Sequence, residues 1–261
     1  MPGYRKHALR DSSLPEKLFY ALAWPFLLVL ILEIILRVKH VPSFFIPLPS
    51  EVLKELFESR ATLFFNGLIT AEEIILGFLL GASMGTLLAL LIFYLPPAKK
   101  MLMPFIFLSQ VFPKIAFAPI LLIWFGFGIF LKVSIGALMS FFPVMINLLT
   151  GLSNVPKDRL DLFRSLCANP YQIFLKLYLP SSLPYFFAGL KICLILASFG
   201  VIVGEFTSSH SGLGNLILTS SHQMNTTMSF ASLAALGLIV IFFYSLLVLI
   251  ERKVLYWEEM E

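Results

Sequence analysis

Charge is what this 261-residue chain has least of: Asp, Glu, Lys and Arg make up 13% of it, against 59% hydrophobic residues. A water-soluble domain is roughly a quarter charged, so no charged shell can form here and lipid must cover what water would otherwise meet. Histidine is scarce too. His7, His40, His210 and His222 are scattered outside the long apolar runs, which leaves neither a metal site nor the paired ligands or acid–base groups of a membrane-embedded enzyme. Cysteine is limited to Cys167, in a polar connection, and Cys193, inside an apolar run, so no disulfide is expected. No G-x-x-x-x-G-K-[ST] occurs, so the chain is not itself a P-loop ATP-binding protein. There is no half-to-half repeat, and the net charge of +4 is too small to point to nucleic acid.

What is present is length in apolar runs. A membrane crossing needs about 20 mostly apolar residues, and six stretches qualify: Phe19–Val38, Ile74–Leu95, Met103–Trp124, Ile129–Thr150, Pro184–Gly204 and Phe230–Ile250. The 27 phenylalanines suit lipid-facing helices and argue against a β-barrel, whose positions alternate apolar and polar. The expected fold is an all-α membrane protein of about six transmembrane helices. A single transmembrane domain over 19–255 is flanked by a cytoplasmic segment, 1–18, and a cytoplasmic tail, 251–261. The first span follows Arg5, Lys6 and Arg10, is too long for a signal peptide, and is expected to stay in the mature protein. Orientation follows the Lys/Arg bias of short connections: with the N-terminus inside, twelve basic residues fall in cytoplasmic segments and five, Lys132 among them, in outer ones. Both termini are then cytoplasmic.

The connections carry more detail. Phe125–Gly128 must be a tight turn. Ser50 is placed to cap a short amphipathic helix, with Val52, Leu53, Leu56 and Phe57 apolar, lying on the outer membrane surface. The outer segment Phe206–Ser229 reads as a polar loop. Gly77, Gly81 and Gly85 form a doubled small-xxx-small pattern for close helix packing. Prolines 104, 113, 119 and 143 interrupt the third and fourth spans.

Charges inside membrane spans are costly and mark functional candidates. Lys114, mid-span between two prolines, and Glu205, at the end of the fifth span, are candidates for a translocation pathway, Lys114 with a preference for anions. Lys191 and Glu33, near span ends, read as structural.

The longest cytoplasmic connection, 151–183, reads as two short helices at an angle. Pro156 precedes the first, which has Leu160, Phe163, Leu166 and Cys167 on one side and Asp158, Arg159, Asp161, Arg164 and Ser165 on the other. With Cys167 continuing it, the first helix is expected to run on to Asn169–Pro170. Asn169 then caps a second helix with Pro170 at its first position, which runs to Leu179 and ends at Pro180.

Here the sequence resembles the permease subunits of ATP-driven, binding-protein-dependent importers. Their cytoplasmic signature is E-A-A, three residues, Gly, nine residues, then I-x-L-P. This chain has Asp161-Leu162-Phe163, then Cys167, then Leu177-Tyr178-Leu179-Pro180 at the same spacing. Pro47-Leu48-Pro49-Ser50, Pro113–Pro119 followed by Ile123-Trp124-Phe125-Gly126, and Gly204-Glu205 with Ser211-Gly212-Leu213-Gly214 are similar to the branch that serves nitrate, sulfonates, taurine and vitamin precursors. The resemblance implies a bacterial inner-membrane protein, a homodimer or pseudo-dimer, docked on two cytoplasmic ATPase subunits and fed by an extracytoplasmic binding protein. ATP and Mg would be held by the partner ATPase and no cofactor by this chain. Leu160, Asp161, Leu162, Phe163, Arg164, Ser165, Leu166, Cys167, Ala168 and Asn169 would form the ATPase-coupling element between spans four and five. The rival reading is a secondary transporter driven by an ion gradient, a class often built from two repeated halves.

Overall fold

The structure, a computed structural model, describes residues 14–208 and 210–256. In chain order it forms α1 (Leu14–Val38), α2 (Pro49–Glu58), α3 (Arg60–Tyr94), α4 (Pro96–Val111), a 3₁₀ turn (Lys114–Phe117), α5 (Ala118–Phe125), α6 (Ile129–Ser153), α7 (Lys157–Ser165), α8 (Pro170–Ile173), a π-turn (Phe174–Tyr178), α9 (Leu179–Ser208), α10 (Leu213–His222) and α11 (Thr226–Val254). No strand occurs among the described residues. Most of the expected N-terminal segment 1–18 and the end of the expected tail 251–261 lie outside them.

Among the described residues, four helical stretches are long and apolar enough to cross a membrane: Arg60–Tyr94, Ile129–Ser153, Pro170–Ser208 and Thr226–Val254. Only 6% of the most apolar window of α11 is buried, and α1 presents Phe26, Leu28 and Ile34 at half exposure or more. Contiguous apolar surface on that scale marks a face that meets a membrane or another protein.

The bundle is organised around α6, which lies against both α3 and α9. Glycines set the spacing. The expected small-residue stripe of α3 faces α6: an added Cβ at Gly77 would stand 3.5 Å from Gly136 Cα, and one at Gly85 would stand 2.9 Å from Val144 Cβ. Gly81 lies against Ala137 and Ser140. On the other side of α6, a Cβ at Gly200 of α9 would come within 2.6 Å of Gly136 Cα. Such backbone approach lets van der Waals contact hold helices together where lipid removes the hydrophobic driving force. Ile74, Leu194 and Val201 are buried in one core cluster, and Ala89, Ile92, Met145 and Leu152 fill another toward the α7 end.

Several expectations change. The helix that contains the expected second span begins at Arg60, ahead of Ile74; its 35 residues make about 52 Å of helix, well beyond a ~30 Å hydrocarbon layer. The third is not one helix. Pro113, which has no N–H to donate, follows the end of α4, and a 3₁₀ turn and the short α5 resume from it. The turn before α6 is tight as expected, with Gly126 and Gly128 at φ of +69° and +139°.

Pro180 does not end the second helix of the 151–183 connection. The chain stays helical from Pro170 to Ser208, because the π-turn intervenes and Leu179 N–H bonds back five residues to Phe174 C=O. A wider turn makes room for a ring that would block the ordinary i−4 bond. The polar outer segment contains a helix, α10. Ser50 does not cap α2, which has Pro49 at its first position. Its N–H and hydroxyl instead donate to Glu33, at 3.1 and 2.8 Å, and Glu33 also pairs with Arg37 at 2.6 Å. One side of α2 packs on the bundle, Val52 and Leu56 lying with Leu63, Leu213 and Met228, while Leu53 and Phe57 stay exposed.

Candidate functional site

The connection between α6 and α9 forms a helix–turn–helix projection. Pro156, extended at φ −60° and ψ 135°, leads into α7. At the other end Ala168 N–H donates to Phe163 C=O at 3.1 Å and Cys167 N–H to Arg164 C=O at 2.9 Å, the paired bonds of a Schellman stop. Cys167 takes the left-handed position with φ +54°. The helix therefore ends at Ser165 and does not continue through Cys167. The hydrogen bonds of the stop hold Cys in a conformation that glycine adopts without strain. The next helix begins as expected: Asn169 Oδ1 accepts from Gln172 N–H at 2.8 Å, and the Gln172 side chain accepts from Asn169 N–H at 2.9 Å, a reciprocal cap.

The apolar stripe expected on α7 divides. Leu160 and Phe163 are half-buried toward the bundle, whereas Leu162 and Leu166 are 58% and 71% exposed. Leu162 shares the outward face with Asp158, Asp161 and Ser165, all exposed. Asp161 and Arg164 lie 3.6 Å apart in full solvent contact, a pair that adds little stability and leaves both charges available to a partner.

Glu205 sits at the far end of α9 and is 1% exposed. Thr70 Oγ1 donates to its Oε1 at 2.7 Å, and Gly214 N–H donates to its Oε2. Thr70 Oγ1 in turn accepts Leu213 N–H at 2.8 Å, and Asn66 Oδ1 accepts Gly212 N–H at 2.8 Å. The carboxylate thus lies at the N-terminus of α10, where unpaired amides and the helix dipole favour a negative charge. Gly212 and Gly214 are required there, since a Cβ on Gly214 would stand 2.6 Å from Glu205 Oε2.

Beside this strap lies an ion pair that the sequence reading missed. Lys132 of α6, counted above among the outer-loop cations, donates its ammonium to Glu73 of α3, and the two side chains are only 7% and 3% exposed. Lys132 already stood inside the apolar run Ile129–Thr150, the signal that could have marked it as intramembrane. Glu73 is a buried residue within α3.

Lys114 lies elsewhere. In the 3₁₀ turn after Pro113, its ammonium reaches Met139 C=O at 3.5 Å and stands 5.7 Å from the Phe141 ring centroid. No hydrogen bond or ion pair joins it to Glu205 among the described residues. Lys191 pairs with Glu251 at 2.9 Å, tying α9 to α11 in a structural role, and Glu33 anchors α2.

Residues 62–256 match the family model of the binding-protein-dependent transport system inner membrane component. The formylaminopyrimidine transport permease of Halalkalibacterium halodurans is 32% identical over 89% of this chain and 93% of its own length. The aliphatic sulfonates transport permease of Bacillus subtilis, its assignment given as putative, is 30% identical over 89% of this chain and 85% of its own length. Among solved structures, a chain of the MetNI methionine ABC transporter in an inward-facing form superposes with a TM-score of 0.60 at 19% identity, over 77% of this chain and 98% of that one. That likeness shows the fold.

Proposed function

The chain belongs to this family of inner-membrane transport components, a permease rather than an enzyme, and we propose that it couples to a separate ATPase through α7 and the turn at Cys167. One observation carries the reading: Asp161, Leu162, Ser165 and Leu166 form an exposed face on a short helix that is stopped by the paired bonds at Cys167 and Ala168 and followed at once by the capped start of α8. A rigid projection transmits ATPase closure to the bundle only if its partner binds one bundle state better than the other. ATP and Mg belong to the partner. The remaining parts are an extracytoplasmic binding protein, a second copy of this chain, and six crossings, with α1 and the broken α4–α5 segment as the other two. Both termini and the α7 loop are then cytoplasmic.

The cargo in this proposal is a small solute of the sulfonate, taurine, nitrate or vitamin-precursor kind. Lys114, half-buried in a broken helix with a carbonyl and an aromatic ring for company, is the pathway cation. Glu205 reaches the pathway only if the Gly212–Gly214 strap lifts from it. The deciding experiment is co-purification with the partner ATPase from proteoliposomes. Asp161→Lys with Leu162→Glu is expected to abolish association and solute-stimulated ATP hydrolysis while the chain stays folded; undiminished coupling rules α7 out. Lys114→Gln is expected to lower transport of an anionic solute without loss of ATPase binding.

A further inference from the structure

On the bundle side of α7 lies a cavity of about 1010 Å³, walled by α7, the end of α6 and the start of α9. Arg159 of α7 and Lys176 of the π-turn both line it, with Asn154 and Tyr185 as polar neighbours and Phe163 and Pro180 as apolar ones. No carboxylate lines it. Both cations are exposed, and neither has an ion-pair or hydrogen-bond partner among the described residues; of the two acids on α7, Asp161 pairs with Arg164 and Asp158 does not line the cavity.

We infer that this cavity binds the headgroup of an anionic phospholipid of the inner leaflet. Two unpaired cations with no acid between them attract a phosphodiester, and the apolar wall gives the glycerol and upper acyl carbons a surface that a free ion would not use. Basic pockets at the cytoplasmic ends of membrane helices meet a leaflet rich in such headgroups. The lipid would fill the space under α7 and brace it against α9, leaving the outward Asp161–Leu162 face for the ATPase. The inference rests on the cytoplasmic placement of this loop proposed above.

Native mass spectrometry of the full-length chain tests it, with detergent micelles carrying phosphatidylglycerol, phosphatidylcholine or free glycerol phosphate. Phosphatidylglycerol is expected to stay bound and phosphatidylcholine to leave. Preference for the anionic lipid should fall about fivefold for each side chain neutralised in Arg159→Gln and Lys176→Gln. Arg159→Lys with Lys176→Arg should retain it, which separates lost charge from lost fold. Equal retention by the double Gln variant, equal loss in Arg252→Gln/Lys253→Gln, or glycerol phosphate binding as well as the lipid would each overturn the assignment. Orientation is read separately by an impermeant maleimide at Cys167, exposed where Cys193 is buried. Labelling from the outer face of intact cells would overturn the inner-leaflet placement whatever the lipid result.

Discussion

Lys132 of α6 and Glu73 of α3 meet as an ion pair sealed inside the helical bundle, 59 residues apart in sequence and both almost fully buried. The pair lies along the same α3–α6 contact that the glycines hold close.

Removing one member leaves the other charged and buried. Lys132→Met or Glu73→Leu is expected to cost about 3–5 kcal/mol, whereas the double variant should cost much less than the sum. Thermal unfolding of the four proteins of the cycle in one detergent measures the coupling; additive losses would mean that the contact contributes nothing.

Thr70→Val keeps the shape of the side chain but removes the donor to Glu205 and the acceptor of Leu213 N–H. Stranding these buried groups should cost about 1–3 kcal/mol, and Thr70→Ser should cost little. Limited proteolysis of the 209–225 segment reads the strap: cleavage should accelerate in the Val variant and not in the Ser one.

Cys167→Gly should stabilise the chain by about 0.5–1 kcal/mol: the left-handed conformation costs an L-residue about 1–2 kcal/mol, and the entropy that glycine gives to the unfolded chain offsets about 0.4–1 kcal/mol of that. A β-branched residue there should destabilise it. Comparing the melting of Cys167→Gly and Cys167→Val checks both signs.

Gly85→Leu would press a side chain into Val144 and the α6 backbone. Overpacking of this kind costs about 1–3 kcal/mol or more. The yield of folded protein should drop whether or not the chain is dimeric, because the contact lies within one chain; a loss confined to dimer assembly would contradict the packing.

Much of this was legible locally. Apolar runs announced helices because in lipid every backbone amide must bond within its own segment, and the Asn169–Pro170 start is a cap written in neighbouring residues. Pro180 misled because a proline reads as a stop, yet a π-turn, whose bond reaches back five residues from Leu179 to Phe174, lets the helix pass. Cys167 misled in the opposite direction: nothing in its identity announces a left-handed turn, which the bonds to Phe163 and Arg164 impose. Thr70 and Glu205 stand 135 residues apart, and no local pattern relates them.

By itself, then, the sequence determined the class, the apolar helices and the spacing of the projecting loop, since each depends on residues within a few turns of one another. Tertiary structure alone decided which charges are sealed and which are offered. Lys132 moved from an outer loop to a buried pair and Glu205 is enclosed under the strap at the start of α10, while Arg159 and Lys176 were left facing a cavity without an acid. The physical reason is that the cost of a charge depends on what encloses it, and the enclosing groups come from helices far apart in the chain.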